Sequence, residues 1–189
     1  MSTKVEESLE DLLYQIKQKA EIVDGHIILM PPSGALPGHA ADEICFSLWE
    51  YSKQQKYGLA FGSNTAFIVN LPHRKSFSPD AGFFVGAYPG MKFFQGAPVF
   101  AVEVREEEDY GPRAEREMAA KRLDYFAAGT LVAWDVDLLS ENVVRVYRAG
   151  EIEPTLYCRG QVAEAEPAVP GWSMPVDDLL PKRYTVDVE

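Results

Sequence analysis

The chain has 189 residues, of which 47% are hydrophobic and 25% charged, values typical of a soluble globular protein. Its formal net charge of −11 argues against nucleic-acid binding through a general basic surface. No apolar segment reaches the roughly 18 residues of a membrane helix, and the N-terminus MSTKVEESLEDLL is too charged for a signal peptide. We therefore expect one cytoplasmic domain over residues 1–189, with Cys45 and Cys158 as reduced thiols.

The first half of the chain predicts two helices and several short strands. Helical spacing of Leu9, Leu12, Leu13 and Ile16 predicts an N-terminal helix, and Asp24-Gly25 predicts the turn of a β-hairpin. The predicted elements are, in order, a helix over residues 9–20, a hairpin over 21–30, a loop over 31–38, a helix over 39–56, two strands within 59–71 and a loop over 72–79.

The second half predicts a run of strands interrupted by one helix. Residues 81–88 and 98–104 are continuously apolar and predict strands buried on both faces, joined by a loop. Pro112 suits the first turn of a helix and Gly129 the position just past its end. The remaining predictions are a helix over 112–128, strands over 131–137, 142–150 and 151–158, and an irregular tail from Pro167 that wraps the sheet. The fold class is α/β (α+β), a mixed central β-sheet flanked by helices.

Two strands carry carboxylates where chemistry can occur. Glu103 lies inside VFAVEV, where burial is costly unless the side chain binds a cation or a hydrogen-bond network. Asp80 opens the preceding apolar segment, and Lys121 borders the apolar stripe of the following helix. Two carboxylates suffice for Mg²⁺, which keeps several waters, and a nearby lysine can stabilise charge in a phosphoryl transition state.

Each of these residues also has a plain structural interpretation. Asp80 can be a turn residue after Pro79, Glu103 a strand-end partner of Arg105, and Lys121 a solvated helix residue. The order and spacing of all three favour the functional interpretation.

The chain resembles the Uma2 family (DUF820), which is similar to the PD-(D/E)XK restriction-endonuclease-like superfamily. The resemblance extends over residues 21–180 and rests on several short motifs in a fixed order. These are EIVDGHIILMPPS followed by His39, SPDAGFFV, PVFAVEV, the K-x-x-x-Y-x-x-x-G pattern of Lys121, Tyr125 and Gly129, and then WDVD, RVYR and VPGWSMPVDDL.

The resemblance implies an αβββαβ core and a Mg²⁺- or Mn²⁺-dependent phosphodiesterase acting on DNA or RNA. It implies that Asp80 and Glu103 ligate the metal and that Lys121 is the catalytic lysine. Glu21 would be a further catalytic acid, contributed by the N-terminal hairpin or helix.

The chain departs from the superfamily pattern after the second acid. The usual lysine two positions later is Arg105, which is always charged and cannot act as a base. Residues 106–109 are all acidic and should repel a phosphate. An alternative function is therefore a catalytically silent binding or scaffold module with a nuclease fold, and a third is a component that acts only with a partner chain.

Other candidates carry weaker signals. Asp135 and Asp137 alternate at a strand end and can bind a cation or simply end the strand, and His39 can approach a phosphate or cap a helix. The remaining candidates are a basic rim of Arg74, Lys75, Lys53 and Lys56, and base-stacking or interface aromatics Tyr88, Phe93 and Phe94. The aromatics favour a homo-oligomer. No H-E-x-x-H, P-loop, G-x-S-x-G or G-x-G-x-x-G motif occurs.

Overall fold

The structure, a computed structural model, describes residues 9–181. Its α-helices are α1 (Leu9–Gln15), α2 (Ala35–Gln55) and α3 (Pro112–Ala127), followed near the end by a 3₁₀ helix, Val176–Leu179. Its strands are β1 (Ala20–Val23), β2 (His26–Leu29), β3 (Leu59–Gly62), β4 (Phe67–Ile68), β5 (Ser76–Phe77), β6 (Ala81–Phe84), β7 (Phe94–Gln95), β8 (Phe100–Val104), β9 (Val132–Val136), β10 (Val144–Arg148), β11 (Thr155–Tyr157), β12 (Val162–Glu164) and β13 (Ser173–Pro175). Over this range no helix combines the length and apolar character needed to span a bilayer.

A six-stranded mixed sheet forms the centre of the fold. Its strand order is β11-β10-β9-β8-β6-β3. Strands β8 and β9 are parallel, and every other neighbouring pair in this sheet is antiparallel. The parallel pair is joined through α3, as a parallel connection requires. The succession α2, β3, β6, β8, α3, β9 is the expected αβββαβ core, and the predicted fold class is confirmed.

Strand alternation divides the core between the two faces of the sheet. Phe100, Val102 and Val104 of β8 join α2 in the larger apolar cluster, whereas Ala101 belongs to the cluster that contains Tyr125 of α3. Side chains two positions apart share a face. Glu103 therefore lies on the same face as Ala101 and is directed toward α3, which positions its carboxylate beside the helix.

Three smaller sheets surround this centre. The hairpin β1-β2 turns at Asp24-Gly25 as predicted, and β5-β4-β7 form a three-stranded sheet. An isolated bridge between Val23 and Arg74 connects the hairpin to the segment before β5. Strands β12 and β13 pair antiparallel and contribute Ala163 and Met174 to the cluster on the α2 face.

Several boundary predictions were wrong. Helix α1 ends at Gln15 and α2 begins at Ala35, inside the predicted loop. Proline is tolerated within the first turn of a helix, because amide groups there lack intrahelical partners, and Pro37 lies in that turn. Strands β5 and β7 lie in predicted loops, β13 lies in the tail predicted to be irregular, and β12 lies just before that tail, in a segment with no predicted element. These strands have only two or three residues, too few for a periodic signal.

Candidate active site

Glu103 and α3 form the centre of the site. Lys121 Nζ donates to Glu103 Oε2 at 2.8 Å, and the Tyr125 hydroxyl donates to Glu103 Oε1 at 2.6 Å. The two donors are four residues apart and therefore share one face of the helix. The Glu103 side chain is 25% exposed, so it is only half-buried.

Glu21 holds Lys121 from the other side. Its Oε1 atom lies 3.0 Å from Lys121 Nζ and accepts the backbone N–H of Ser78 at 2.9 Å. Its Oε2 atom accepts Arg74 Nη1 at 2.5 Å. Glu21 is only 3% exposed, so these contacts replace the water it loses. This residue positions the lysine and does not open to solvent.

Asp80 lies one residue before β6, and β6 is the neighbour of β8 in the central sheet. Its Oδ2 atom accepts the backbone N–H of Val104 at 2.8 Å, and its own N–H donates to the Val102 carbonyl at 3.0 Å. Its Oδ1 atom accepts Lys19 Nζ. Asp80 is therefore fixed against the end of β8 and is more than a turn residue after Pro79.

The electrostatic balance differs between the two glutamates. Burial raises the pKa of Glu103; Lys121 opposes this, while Asp80 and Glu21 raise it further. Burial would also raise the pKa of Glu21, but Lys121, Arg74 and the Ser78 N–H together lower it. Despite burial, Glu103 and Glu21 raise the pKa of Lys121, so this side chain is an ammonium ion. Burial and Glu103 raise the pKa of Tyr125 well above its ordinary value.

These residues border one cavity of about 530 Å³. Its wall contains the four predicted residues together with Lys19, Arg74 and Tyr125. A second part of the wall is acidic and includes Glu106, Glu108, Asp109 and Glu117; a third is apolar and includes Val23, Ile28, Met30 and Met118. The structure thus brings Asp80, Glu103, Lys121 and Glu21 together, in a cavity of acidic balance.

Arg105 takes part in a separate ionic cluster and does not pair with Glu103. Its Nε and Nη2 atoms bind the two oxygens of Asp135, each at 2.8 Å, and Nη1 binds Glu115 in the first turn of α3. Asp137 lies 3.2 Å from Arg145. Asp135 and Asp137 are therefore partners of arginines that tie β8, β9, β10 and α3 together, and the structure gives no support to their cation-binding interpretation.

The acidic segment after Arg105 is not wholly solvated. The Glu106 carboxylate accepts the Gly34 N–H at 3.1 Å, next to the start of α2. Asp109 accepts the Glu106 N–H at 2.9 Å, while Glu107 and Glu108 are exposed. This segment closes one side of the cavity.

The other predicted residues lie away from this centre or have different partners. His39 lies within α2 and does not line the cavity. The prediction of Arg74 as a rim residue was wrong, because it is buried between Glu21 and Asp124. Phe93 stacks on Tyr14 and Phe94 on Phe67, with centroids 3.9 and 5.0 Å apart, whereas Tyr88 remains 73% exposed.

Sequence reasoning missed Lys19, Arg74 and the hydroxyl of Tyr125 as members of the site. A signal existed for Lys19, since it precedes Glu21 by two positions, which places both on one face of an extended chain. A signal also existed for Tyr125, four residues after Lys121 on a helix. Arg74 lies 53 positions from Glu21, and nothing in its local sequence indicates that pairing.

The carboxylates match the donors that Mg²⁺ or Mn²⁺ uses in proteins. Asp80 lies just before β6 and Glu103 on the neighbouring β8, and both border one cavity. Mg²⁺ needs only one or two carboxylates because waters complete its coordination. Over residues 9–181, no group of three or more His, Cys, Asp or Glu side chains is arranged to hold a metal. A cation held by Asp80 and Glu103 would therefore need water for its remaining ligands.

The mixed sheet with an αβββαβ core places the chain in a nuclease-like fold class. Residues 7–177 match the Uma2 family, described as "Putative restriction endonuclease", and the chain belongs to that family. The chain is also similar to the crystal structure of a "putative nuclease belonging to DUF820" from Anabaena variabilis. That similarity has a TM-score of 0.70 and 18% identity and covers 89% of this chain and 95% of the other. Comparison with curated proteins finds no match.

Proposed function

We propose that the protein is a divalent-metal-dependent phosphodiesterase that cleaves DNA or RNA. The observation that carries the proposal is the convergence of the Asp80 and Glu103 carboxylates and the half-buried Lys121 ammonium ion on one cavity. Membership of a restriction-endonuclease family adds support for a nucleic-acid substrate.

In this proposal Asp80 and Glu103 hold Mg²⁺ or Mn²⁺. When bound, the metal would supply charge neutralisation and a more acidic water. Lys121 donates to Glu103 and Glu21, so it acts as a fixed cation that stabilises charge developing on phosphoryl oxygens. Glu21 holds that ammonium in place, and Tyr125 orients the Glu103 carboxylate. Arg105 lies in its own cluster and takes no catalytic part.

Cleavage assays with matched variants test this function. We expect Mg²⁺- or Mn²⁺-dependent cleavage of mixed single- and double-stranded DNA and RNA by the wild type. Asp80→Asn should reduce the rate about 100-fold or more, because it removes a metal ligand while keeping side-chain shape. Asp42→Asn, on the exposed face of α2, is the control and should retain activity. Equal activity in both variants, or none in the wild type with either metal, rejects the proposal.

A specific feature favours a second function, a catalytically silent nuclease-fold module. The carboxylates of Glu21, Asp80 and Glu103 already have internal cationic partners, and the cavity wall carries further acids. Calorimetry with Mg²⁺ and Mn²⁺ separates the two functions. A silent module should give no binding heat that depends on Asp80 or Glu103.

Self-association stays a prediction. Of its three proposed aromatics, Phe93 and Phe94 pack within the chain and Tyr88 is exposed. Light scattering coupled to size-exclusion chromatography gives the mass directly. A monomeric mass at all accessible concentrations would reject a homo-oligomer.

A further inference from the structure

Among the described residues, one cationic side chain of the cavity has no carboxylate partner. Lys19, Arg74, Lys121 and Arg122 all line the cavity wall. Lys19 pairs with Asp80, Arg74 with Glu21 and Asp124, and Lys121 with Glu21 and Glu103. Within the described part of the chain, Arg122 has no carboxylate at ion-pair distance. Its charge is therefore the one that an incoming anion can use without breaking an internal pair.

The Arg122 guanidinium is nevertheless held in place. Its Cζ atom lies 3.5 Å from the centroid of the Tyr147 ring, a cation–π contact. Tyr147 belongs to β10 and is opposite Ala133 of β9, which itself lines the cavity. The contact holds the guanidinium cation over the ring, and the planar N–H donors of arginine suit an oxyanion. The side chain is thus oriented in advance on a rigid sheet.

We propose that Arg122 binds a phosphate of the nucleic-acid strand. The inference rests on the proposed function, since it concerns the substrate of the same cavity. Glu106, Glu108, Asp109 and Glu117 on the cavity wall repel a polyanion, so substrate entry requires an uncompensated cation. Arginine suits this role because its planar donors match phosphate oxygens in a bidentate arrangement. Lys121 follows a different pattern, since two carboxylates hold it at the reaction centre.

Binding of a fluorescein-labelled single-stranded DNA oligonucleotide tests the proposal. The binding is measured by fluorescence anisotropy at several salt concentrations in the presence of Ca²⁺. We expect Arg122→Gln to raise Kd about tenfold and to reduce the slope of log K against log salt by about 0.7, the loss of one phosphate contact. Arg122→Lys should keep the slope, because it keeps the charge, but should bind less tightly because it loses the bidentate geometry. Arg116→Gln removes the same charge from an exposed position of α3 outside the cavity and should match the wild type.

Equal Kd values and slopes for Arg122→Gln and Arg116→Gln would overturn the inference, as would a wild type that does not bind the oligonucleotide. Cleavage kinetics distinguish this failure from that of the proposed function. If the wild type shows metal-dependent cleavage and Arg122→Gln leaves KM unchanged, only the inference fails. If the wild type shows no metal-dependent cleavage, the proposed function fails. Should Arg122→Gln not fold, the Arg122→Lys result decides: a Kd equal to that of the wild type overturns the inference.

Discussion

Replacing Lys121 with methionine should destabilise the metal-free protein through loss of charge and not of volume. The ammonium lies 2.8 Å from Glu103 and 3.0 Å from Glu21, and its side chain is only 17% exposed. Breaking a buried ion pair by removing one partner costs about 3–5 kcal/mol. Because the cavity lets water reach Glu103, we take the lower figure, about 3 kcal/mol. At about 2–4 °C per kcal/mol for a chain of this size, Tm should fall by about 6–12 °C.

The loss should depend on pH in a definite direction. Burial raises the pKa of Glu103 in the wild type, whereas the cations around Glu21 lower its pKa. Without Lys121 the pKa of Glu103 rises further above its unfolded value, so the folded variant holds a proton that the unfolded chain releases, and stability is lost as pH rises through the raised pKa. In the wild type, the stability contributed by Glu21 is lost as pH falls through its lowered pKa. The first effect narrows the difference in stability between variant and wild type as pH falls from about 8 to about 5. The second narrows it further only below the ordinary glutamate pKa of 4.5.

Thermal and urea denaturation followed by circular dichroism, with EDTA present, measures this difference. Lys75→Met is the matched control. Lys75 donates to the neutral amide oxygen of Asn70 at 2.9 Å, so breaking this contact leaves no charged partner behind. It should change stability by less than about 0.5 kcal/mol. A Lys121→Met variant no less stable than this control, or a difference that does not change with pH, would refute the electrostatic argument.

Two further predictions concern Asp80 and the sheet. Lys19→Met should tighten Mn²⁺ binding about tenfold, because it removes a positive charge from the Asp80 oxygen that a metal would use; calorimetry showing unchanged affinity would contradict this. Gly82→Ala should cost about 1–3 kcal/mol in urea denaturation, because a Cβ there would lie 2.3 Å from the Phe100 carbonyl oxygen and 2.7 Å from the Phe61 ring. Gly38→Ala is its control, since the nearest atom to a Cβ lies 3.7 Å away and helical alanine is favourable; equal losses would contradict the packing argument.

The central fold was predictable because its signals are local and repeated. Strand β6 is buried at all four positions, and its uninterrupted apolar sequence indicates this directly. Helix α3 begins at Pro112 after Gly111 and ends before Gly129, which has a φ of +106°. The start of α2 was not predictable in the same way, since Gly34, Pro37 and Gly38 together are typical of a loop.

The composition of the site was predictable only in part. Asp80, Glu103 and Lys121 could be singled out because charged residues at the margins of apolar segments need a reason to be there. Their internal partners could not all be identified, since Arg74 reaches Glu21 through tertiary pairing of the hairpin with the segment before β5. A buried arginine and a solvated arginine look alike in a sequence. The Arg105 cluster has the same origin, because Asp135 lies on a different strand 30 positions later.

The charge balance around Glu103 determines how a cation can enter. Asp80 pairs with Lys19, and Glu21 pairs with both Arg74 and Lys121. Glu103 pairs with Lys121, and Arg74 is also held by Asp124. Arg74 and Lys121 each contact two carboxylates, whereas Lys19 contacts Asp80 alone among these acids. A divalent ion added beside Asp80 and Glu103 would repel all three cations. Lys19 has the fewest contacts to lose, so we expect its ammonium to be the group that moves if a metal binds as proposed.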